Sequence, residues 1–311
     1  MNPAALVAEL EPTVADLLDR HLNKSREWFP HLLVPWGRGE DFEPDWEWSP
    51  EETDLPAEVQ SSLFVNLLTE DNLPYYFRTI EDMFGADSAW GEWVRRWTAE
   101  EGRHSIVLRD YLTVTRTLDP VHLERARMAQ VQCGEVPEPE SPHDGLVYVA
   151  LQELATRIAH HNTGKRMNDP VGYEVMKRVA ADENHHYLFY RDLTSAAMEL
   201  DPSGVVMAIE RQVREFEMPG TGILNFGEHA RAISRAGIYD FQIHHDQILQ
   251  PVVVKHWGLD ALEGLTPEAE QARIKLMKYI ERVDKAGRRM AARRERREAE
   301  AEELGERQLV G

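Results

Sequence analysis

The sequence predicts an all-α fold, a bundle of long helices with further helices packed on its flanks. Apolar residues recur at three- and four-residue steps along most of the chain, and no convincing strand-like alternation interrupts them. The breaks fall at Asp119-Pro120, "VPEPESP", Asp169-Pro170, Asp201-Pro202, "MPGTG" and Thr266-Pro267, where helices are expected to stop or start. The first helix is expected over 3–24, with Leu6, Leu10, Val14, Leu17, Leu18 and Leu22 apolar. A segment rich in Trp, Pro and Gly follows, "WFPHLLVPWGRGEDFEPDWEWSPEETDLP". So long a stretch without regular structure is expected to pack over a site or along the bundle. Further helices are expected at 57–84, 88–117, 121–133, 143–168, 170–199, 203–216, 226–235, 240–257 and 268–300. No repeat occurs at solenoid periods. One domain over 1–311 is the simplest account, with a core over about 10–285 and a charged helical tail over 286–311.

With 311 residues, 29% charged and 42% hydrophobic, the chain belongs with soluble globular proteins that bury a sizeable core. No apolar run approaches the length of a membrane span. The first residues include Glu9, Glu11, Asp16 and Asp19, unlike the basic-then-apolar start of a signal peptide. Cys133 is the single cysteine, which excludes internal disulfides and cysteine-cluster metal sites. A cytoplasmic location is expected. The net charge of −20 argues against nucleic acid as a partner, because phosphate binding needs a basic surface. The charge is uneven: "KAGRRMAARRERRE" at 285–298 is strongly basic, and acidic "EAEEL" follows. That strip is either a solvated helix or a docking site for an acidic partner.

In the helix at 88–117, Trp90, Trp93 or Val94, Trp97, Glu101, His104 and Leu108 share one stripe. In the helix at 170–199, Met176, Val179, Glu183, His186 and Tyr190 do the same. Buried ionised carboxylates are costly unless paired or bound to a cation. Two Glu-x-x-His pairs on inward stripes therefore point to a metal. One such pair alone carries little weight among 13 histidines; Glu140-Ser141-Pro142-His143 is a chance match, broken by Pro142. Two more carboxylates on apolar helices strengthen the pattern. Glu70 follows Leu63 and Leu67, and Glu153 lies a turn after Val149 and Ala150. One Glu from each of two helices, with Glu-x-x-His from each of two others, is the ligand set of ferritin-like di-iron carboxylate bundles. Carboxylates are hard ligands able to bridge two ions, and two imidazoles leave positions open, so two iron ions (Fe2+/Fe3+) per chain are expected. Manganese accepts the same ligands, while zinc favours sites richer in Cys and His. Asp182 is a candidate to accept the outer N–H of a ligand histidine, whereas Glu100 reads equally well as exposed. Pro74 opposes the Glu70 carbonyl, as a kink or a helix end, and the distortion is expected to help set Glu70.

These stretches resemble the soluble acyl-[acyl-carrier-protein] desaturases, the stearoyl type of plant plastids and their actinobacterial relatives. "TEDNLPYY" resembles TEEALPTY, "WTAEEGRH" resembles WTAEENRH, "LVYVALQELATRIAHHNTGK" resembles the FQERAT…HGNT segment, and "AADENHH" resembles AADEKRH. The likeness covers most of 10–300. It implies a ferritin-like fold with Glu101 and Glu183 bridging two irons, Glu70 and Glu153 terminal, and His104 and His186 one to each ion. It implies that Thr156 stands on the oxygen-binding side. "EWFP" makes Trp28 the candidate start of a Trp–Asp–His electron path with Asp182. The implied reaction inserts a cis double bond into a saturated chain on acyl carrier protein, with reduced ferredoxin as donor and a homodimer as the assembly. Asp71 and Gly102 depart from the family pattern without touching a ligand, and the charged tail is longer. Thr79, Ile80, Asp82, Met83, Gly145 and Leu146, expected to line the acyl tunnel, differ from the plant pattern, so chain length and bond position do not carry over.

An unactivated methylene has no acidic proton, so its hydrogen needs a metal–oxygen oxidant rather than side-chain acid–base chemistry; the protein positions the chain near Thr156 and excludes water. The histidine doublets at 160–161, 185–186 and 244–245 lack the His-x-x-His-His spacing of membrane desaturases, since 157, 182 and 241 are Arg, Asp and Phe. Three rivals stand: another ferritin-like di-iron oxidase or oxygenase, a non-enzymatic iron-binding protein, and a radical-generating subunit that would use Tyr190.

Overall fold

The computed structural model describes residues 1–310 apart from 135, 219 and 221, with side chains described to 300 apart from 298. Pro219 and Thr221 of the "MPGTG" break, and most of the acidic "EAEEL" side chains, lie outside the described residues. The helices are α1 Pro3–Lys24, α2 Pro30–Leu33, α3 Ala57–Glu70, α4 Leu73–Phe84, α5 Ser88–Val114, α6 Pro120–Cys133 and α7 Pro142–Arg166. They continue with α8 Pro170–Leu200, α9 Pro202–Arg214, α10 Phe226–Arg235, α11 Phe241–His244 and α12 Pro267–Val310. The described residues include no strand, and none of their helices is long and apolar enough to cross a membrane.

One junction chemistry recurs. Asn2, Asp119, Ser141, Asp169 and Asp201 each precede a proline, and each side chain accepts from a backbone N–H of the helix it opens. Proline suits the first helical position because its missing N–H would have no intrahelical partner there. The stretch expected as one helix over 57–84 is two. The chain turns at Asp71 and Asn72, whose N–H groups close on Leu67 and Thr69, and Pro74 stands in the first turn of α4. Pro74 therefore starts a helix, and Glu70 becomes the last residue of the one before it. Beyond α11 the helix continues as a π-helix over His245–His256, with Pro251 inside it.

The long Trp-rich segment packs along the bundle as expected. Trp48 Nε1 donates to the Arg116 carbonyl at 2.8 Å, and the Arg116 guanidinium covers Phe42 and Trp46. Among the described residues, the buried apolar ones form two clusters. Helix α5 gives Trp90, Trp93 and Trp97 to the first and Val107, Leu108 and Leu112 to the second. Helix α8 gives Val175, Met176 and Val179 to the second and Phe189, Tyr190 and Leu193 to the first. Glu101, His104, Glu183 and His186 occupy the seam between them, where α3 and α7 close the other sides.

Candidate metal centre

All six expected ligands meet in this seam, and all are buried. His104 Nδ1 lies 3.2 Å from Glu101 Oε2, 3.5 Å from Glu183 Oε1 and 3.7 Å from Glu70 Oε2. His186 Nδ1 lies 2.7 Å from Glu101 Oε1, 3.7 Å from Glu153 Oε2 and 3.8 Å from Glu183 Oε2. Two quartets result, Glu70–Glu101–His104–Glu183 and Glu101–Glu153–Glu183–His186, each with ligand atoms within 4.8 Å of one another. Glu101 and Glu183 belong to both.

The donor set fits two cations. Both Nδ1 atoms, Glu101 Oε1, Glu153 Oε2 and Glu183 Oε2 are buried without an aligned hydrogen bond. Burial pushes the Glu101 and Glu183 carboxyls up, and the charges of Glu101 and Glu153 add to the effect on Glu183. Burial opposes charge on the imidazoles, yet Glu101 beside them holds His104 and His186 well above the usual histidine range. Such crowding of negative charge is what divalent cations relieve.

The outer ring nitrogens face acids across the bundle. Asp182 of α8 has Oδ2 3.5 Å from His104 Nε2, and Glu100 of α5 accepts from His186 Nε2 at 3.0 Å. Asp182 Oδ2 also accepts from Trp28 Nε1 at 2.7 Å and from Arg103, and its other oxygen from Arg178. Burial pushes this carboxyl up, but the bonds from His104 and Trp28 hold it at about 2. Glu100 is 3% exposed, which removes the reading of it as a surface residue. Its signal was present: "RWTAEEGRH" at 96–104 and "RVAADENHH" at 178–186 share Arg, acid, Glu and His at the same offsets. Three contacts have no such signal. His21 Nε2 meets Glu100 at 2.8 Å, His160 Nε2 meets Glu70 Oε1 at 3.1 Å, and Trp97 Nε1 donates to Glu153 at 3.0 Å. The Tyr190 hydroxyl accepts from Trp93 Nε1 at 3.0 Å and, among the described hydrogen bonds, has none to the six.

Two cavities meet at this centre. One runs from Glu70, Glu101 and Thr156 past Ile80 to Met83 and Gly145; the other is lined by Phe226, Ile233 and Tyr239. Thr69, Glu70 and Thr156 line both. The Thr156 hydroxyl donates to the carbonyls of Gln152 and Glu153 in its own helix. Of the six expected tunnel residues, Thr79, Ile80, Met83 and Gly145 line the first cavity. Asp82 is exposed and Leu146 is buried in the apolar core. Helical phase explains both corrections: α4 turns 76, 79, 80 and 83 inward and α7 turns 145, 148, 149 and 152, leaving 82 and 146 on other faces.

Comparison with known proteins agrees with this architecture. The fatty acid desaturase family model matches residues 3–305. A Mycobacterium tuberculosis protein described as acyl-[acyl-carrier-protein] desaturase DesA1 is 42% identical over 291 residues, covering 90% of this chain and 86% of that one. The chloroplastic stearoyl-[acyl-carrier-protein] 9-desaturase of Brassica napus is 28% identical over 297 residues, covering 89% and 74%. The X-ray structure described as acyl-ACP desaturase DesA2 of M. tuberculosis H37Rv superposes with a TM-score of 0.69 at 28% identity, covering 86% of this chain and 99% of that one.

Proposed function

The chain belongs to the fatty acid desaturase family, and from that premise we propose that it is an oxygen-dependent di-iron desaturase. Its substrate on this reading is an acyl chain on acyl carrier protein, into which it places a cis double bond during fatty acid biosynthesis. The observation that carries the reading is the meeting of two cavities at Glu70 and Thr156, beside six buried ligands. A chain threaded through both would pass beside the centre.

Glu101 and Glu183 would bridge two irons, Glu70 and Glu153 would each hold one, and His104 and His186 would bind through Nδ1. When bound, the irons supply O₂ activation strong enough to remove hydrogen from an unactivated methylene. Overall, two hydrogens leave the chain and, with two external electrons and two protons, O₂ becomes two waters. The residues do the rest. Glu100 accepts the outer N–H of His186, and Asp182 would take that of His104 on closing from 3.5 Å, so that each Nδ1 lone pair is directed toward the carboxylates. Trp28, Asp182 and His104 form a line away from the centre, with the Trp28 ring beside the guanidiniums of Arg103 at 4.9 Å and Arg178 at 5.5 Å. That line suits delivery from a one-electron donor such as reduced ferredoxin. Thr156 serves oxygen handling beside the chain, and a homodimer belongs to the same proposal. The test is incubation of iron-loaded protein with acyl carrier protein substrates of several lengths, ferredoxin, its reductase and O₂. Mass spectrometry should find chains two hydrogens lighter, dependent on O₂ and reductant. Hydroxylated chains, or unchanged ones throughout, would overturn the reading.

A further inference from the structure

We propose that His21 is a positioning residue for the metal held by Glu153 and His186, acting through Glu100 as Trp28 acts through Asp182 for His104. The inference rests on the di-iron reading and adds a residue from α1, a helix that supplies none of the six ligands.

The two arms correspond in their placement, with the acid 3.0 Å from His186 Nε2 in one and 3.5 Å from His104 Nε2 in the other. Trp28 Nε1 donates to Asp182 Oδ2, the oxygen that faces His104 Nε2, and the Trp28 ring stacks on His104 at 6.4 Å with 14° between planes. His21 Nε2 meets Glu100 Oε2 at 2.8 Å, the oxygen that faces His186 Nε2 at 3.0 Å. The His21 ring stacks on His186 at 5.9 Å with 22° between planes. In each arm the other carboxylate oxygen pairs with an arginine four residues earlier, Arg178 at 2.8 Å and Arg96 at 2.5 Å. Both aromatic donors come from the N-terminal part of the chain, seven residues apart.

The chemistry follows from the donor count. The ionised Glu100 Oε2 can only accept, so both nitrogens that face it, His21 Nε2 and His186 Nε2, present N–H. That leaves His186 Nδ1 as the lone-pair nitrogen facing Glu101, Glu153 and Glu183. His21 also fills the space beside this ring, edge-on to Trp93 at 5.1 Å, and is only 4% exposed. Without it, Glu100 and His186 each lose a neighbour that fixes their orientation, and outer partners of metal-bound histidines typically govern affinity by about 10–100-fold.

The experiment compares His21→Leu and His21→Gln with wild type by titrating Co(II) into the metal-free full chain, reading stoichiometry, affinity and the Co(II) absorption. Gln can present an N–H near the place of Nε2, and Leu presents none. Wild type should take two metals. His21→Leu should bind one with wild-type affinity and the second roughly 10–100-fold more weakly, with an altered spectrum. His21→Gln should recover most of the lost affinity. Two metals bound with unchanged affinity by His21→Leu, or equal losses in Leu and Gln, overturn the role of His21 alone. Fewer than two metals in wild type sinks the di-iron reading, and this proposal with it.

Discussion

His104 and His186 turn Nδ1 toward the shared carboxylates and Nε2 toward an acid on the opposite helix, so each imidazole faces acids at both ends. Replacing either by Ala should lower iron below two per chain and weaken the near-ultraviolet absorption of the oxidised centre; full occupancy in both variants refutes the ligand assignment. Thr156 is different, because its hydroxyl is occupied by carbonyls of its own helix while the residue lines both cavities. Thr156→Asp should keep the iron and shift O₂ consumption from desaturation toward uncoupled turnover, measured as oxygen used per double bond formed. Lost iron would show a structural role instead. The six side chains of the candidate centre were legible because each is an acid or imidazole on an otherwise apolar stripe. Glu100 was legible only by aligning the two Arg-x-x-x-acid-Glu-x-x-His stretches. His21 and His160 were not, since the fold alone brings α1 to Glu100 and Glu70 to the far end of α7.

Among the elements, α4 and α7 approach closely at Gly145, where a Cβ would come within 2.2 Å of Met83 Sδ. Met83 is flexible, so Gly145→Ala should cost only about 1–3 kcal/mol of stability. It should also shorten the first cavity and shift preference toward shorter acyl chains, read from competition between carrier-bound substrates of different length; an unchanged preference would place the chain elsewhere. The helix that begins at Phe241 offers a pH test. His244 is buried, with Nδ1 2.8 Å from the Tyr239 hydroxyl and Phe216 stacked on its ring. Burial, with His245 nearby, pushes its pKa down to about 4. The folded value lies below the unfolded one near 6.5, so its stability is complete above about pH 6.5 and lost as pH falls toward 4. The loss is on the order of 3 kcal/mol. His244→Phe should flatten the fall in melting temperature across that window, and parallel curves would show that His244 titrates freely. Most helices were legible from apolar spacing and from Asp-Pro and Ser-Pro junctions, whose capping is local chemistry. The break at Asp71–Asn72 and the π-helix were not, because a turn of two residues and a change of helical pitch leave the apolar stripe almost unchanged.

At the scale of the whole molecule, the net charge of −20 opposes approach of the acidic acyl carrier protein and ferredoxin expected as partners, so a local basic surface must offset it. The candidate is the 285–297 stretch of α12, but it is not uniformly available. Arg288 pairs with Asp284, and Arg294 turns inward to Asp240 at 2.6 Å and the Ser234 carbonyl. Arg289, Arg293 and Arg297 remain exposed, four residues apart and therefore along one face. The Arg294 anchor ties this part of α12 to the end of α10, whose Phe226, Ala230 and Ile233 line the second cavity. A carrier docked on the basic face would thus stand beside the cavity that leads to Thr156. Reversing charge at Arg289, Arg293 and Arg297 together should raise the apparent KM for acyl carrier protein substrate on the order of tenfold at low salt. The salt dependence should weaken, because the screened attraction is gone. Iron content should not change, since none of the three touches a ligand. Unchanged titrations of both carrier substrate and ferredoxin would leave the strip as a solvated helix and place docking on another surface.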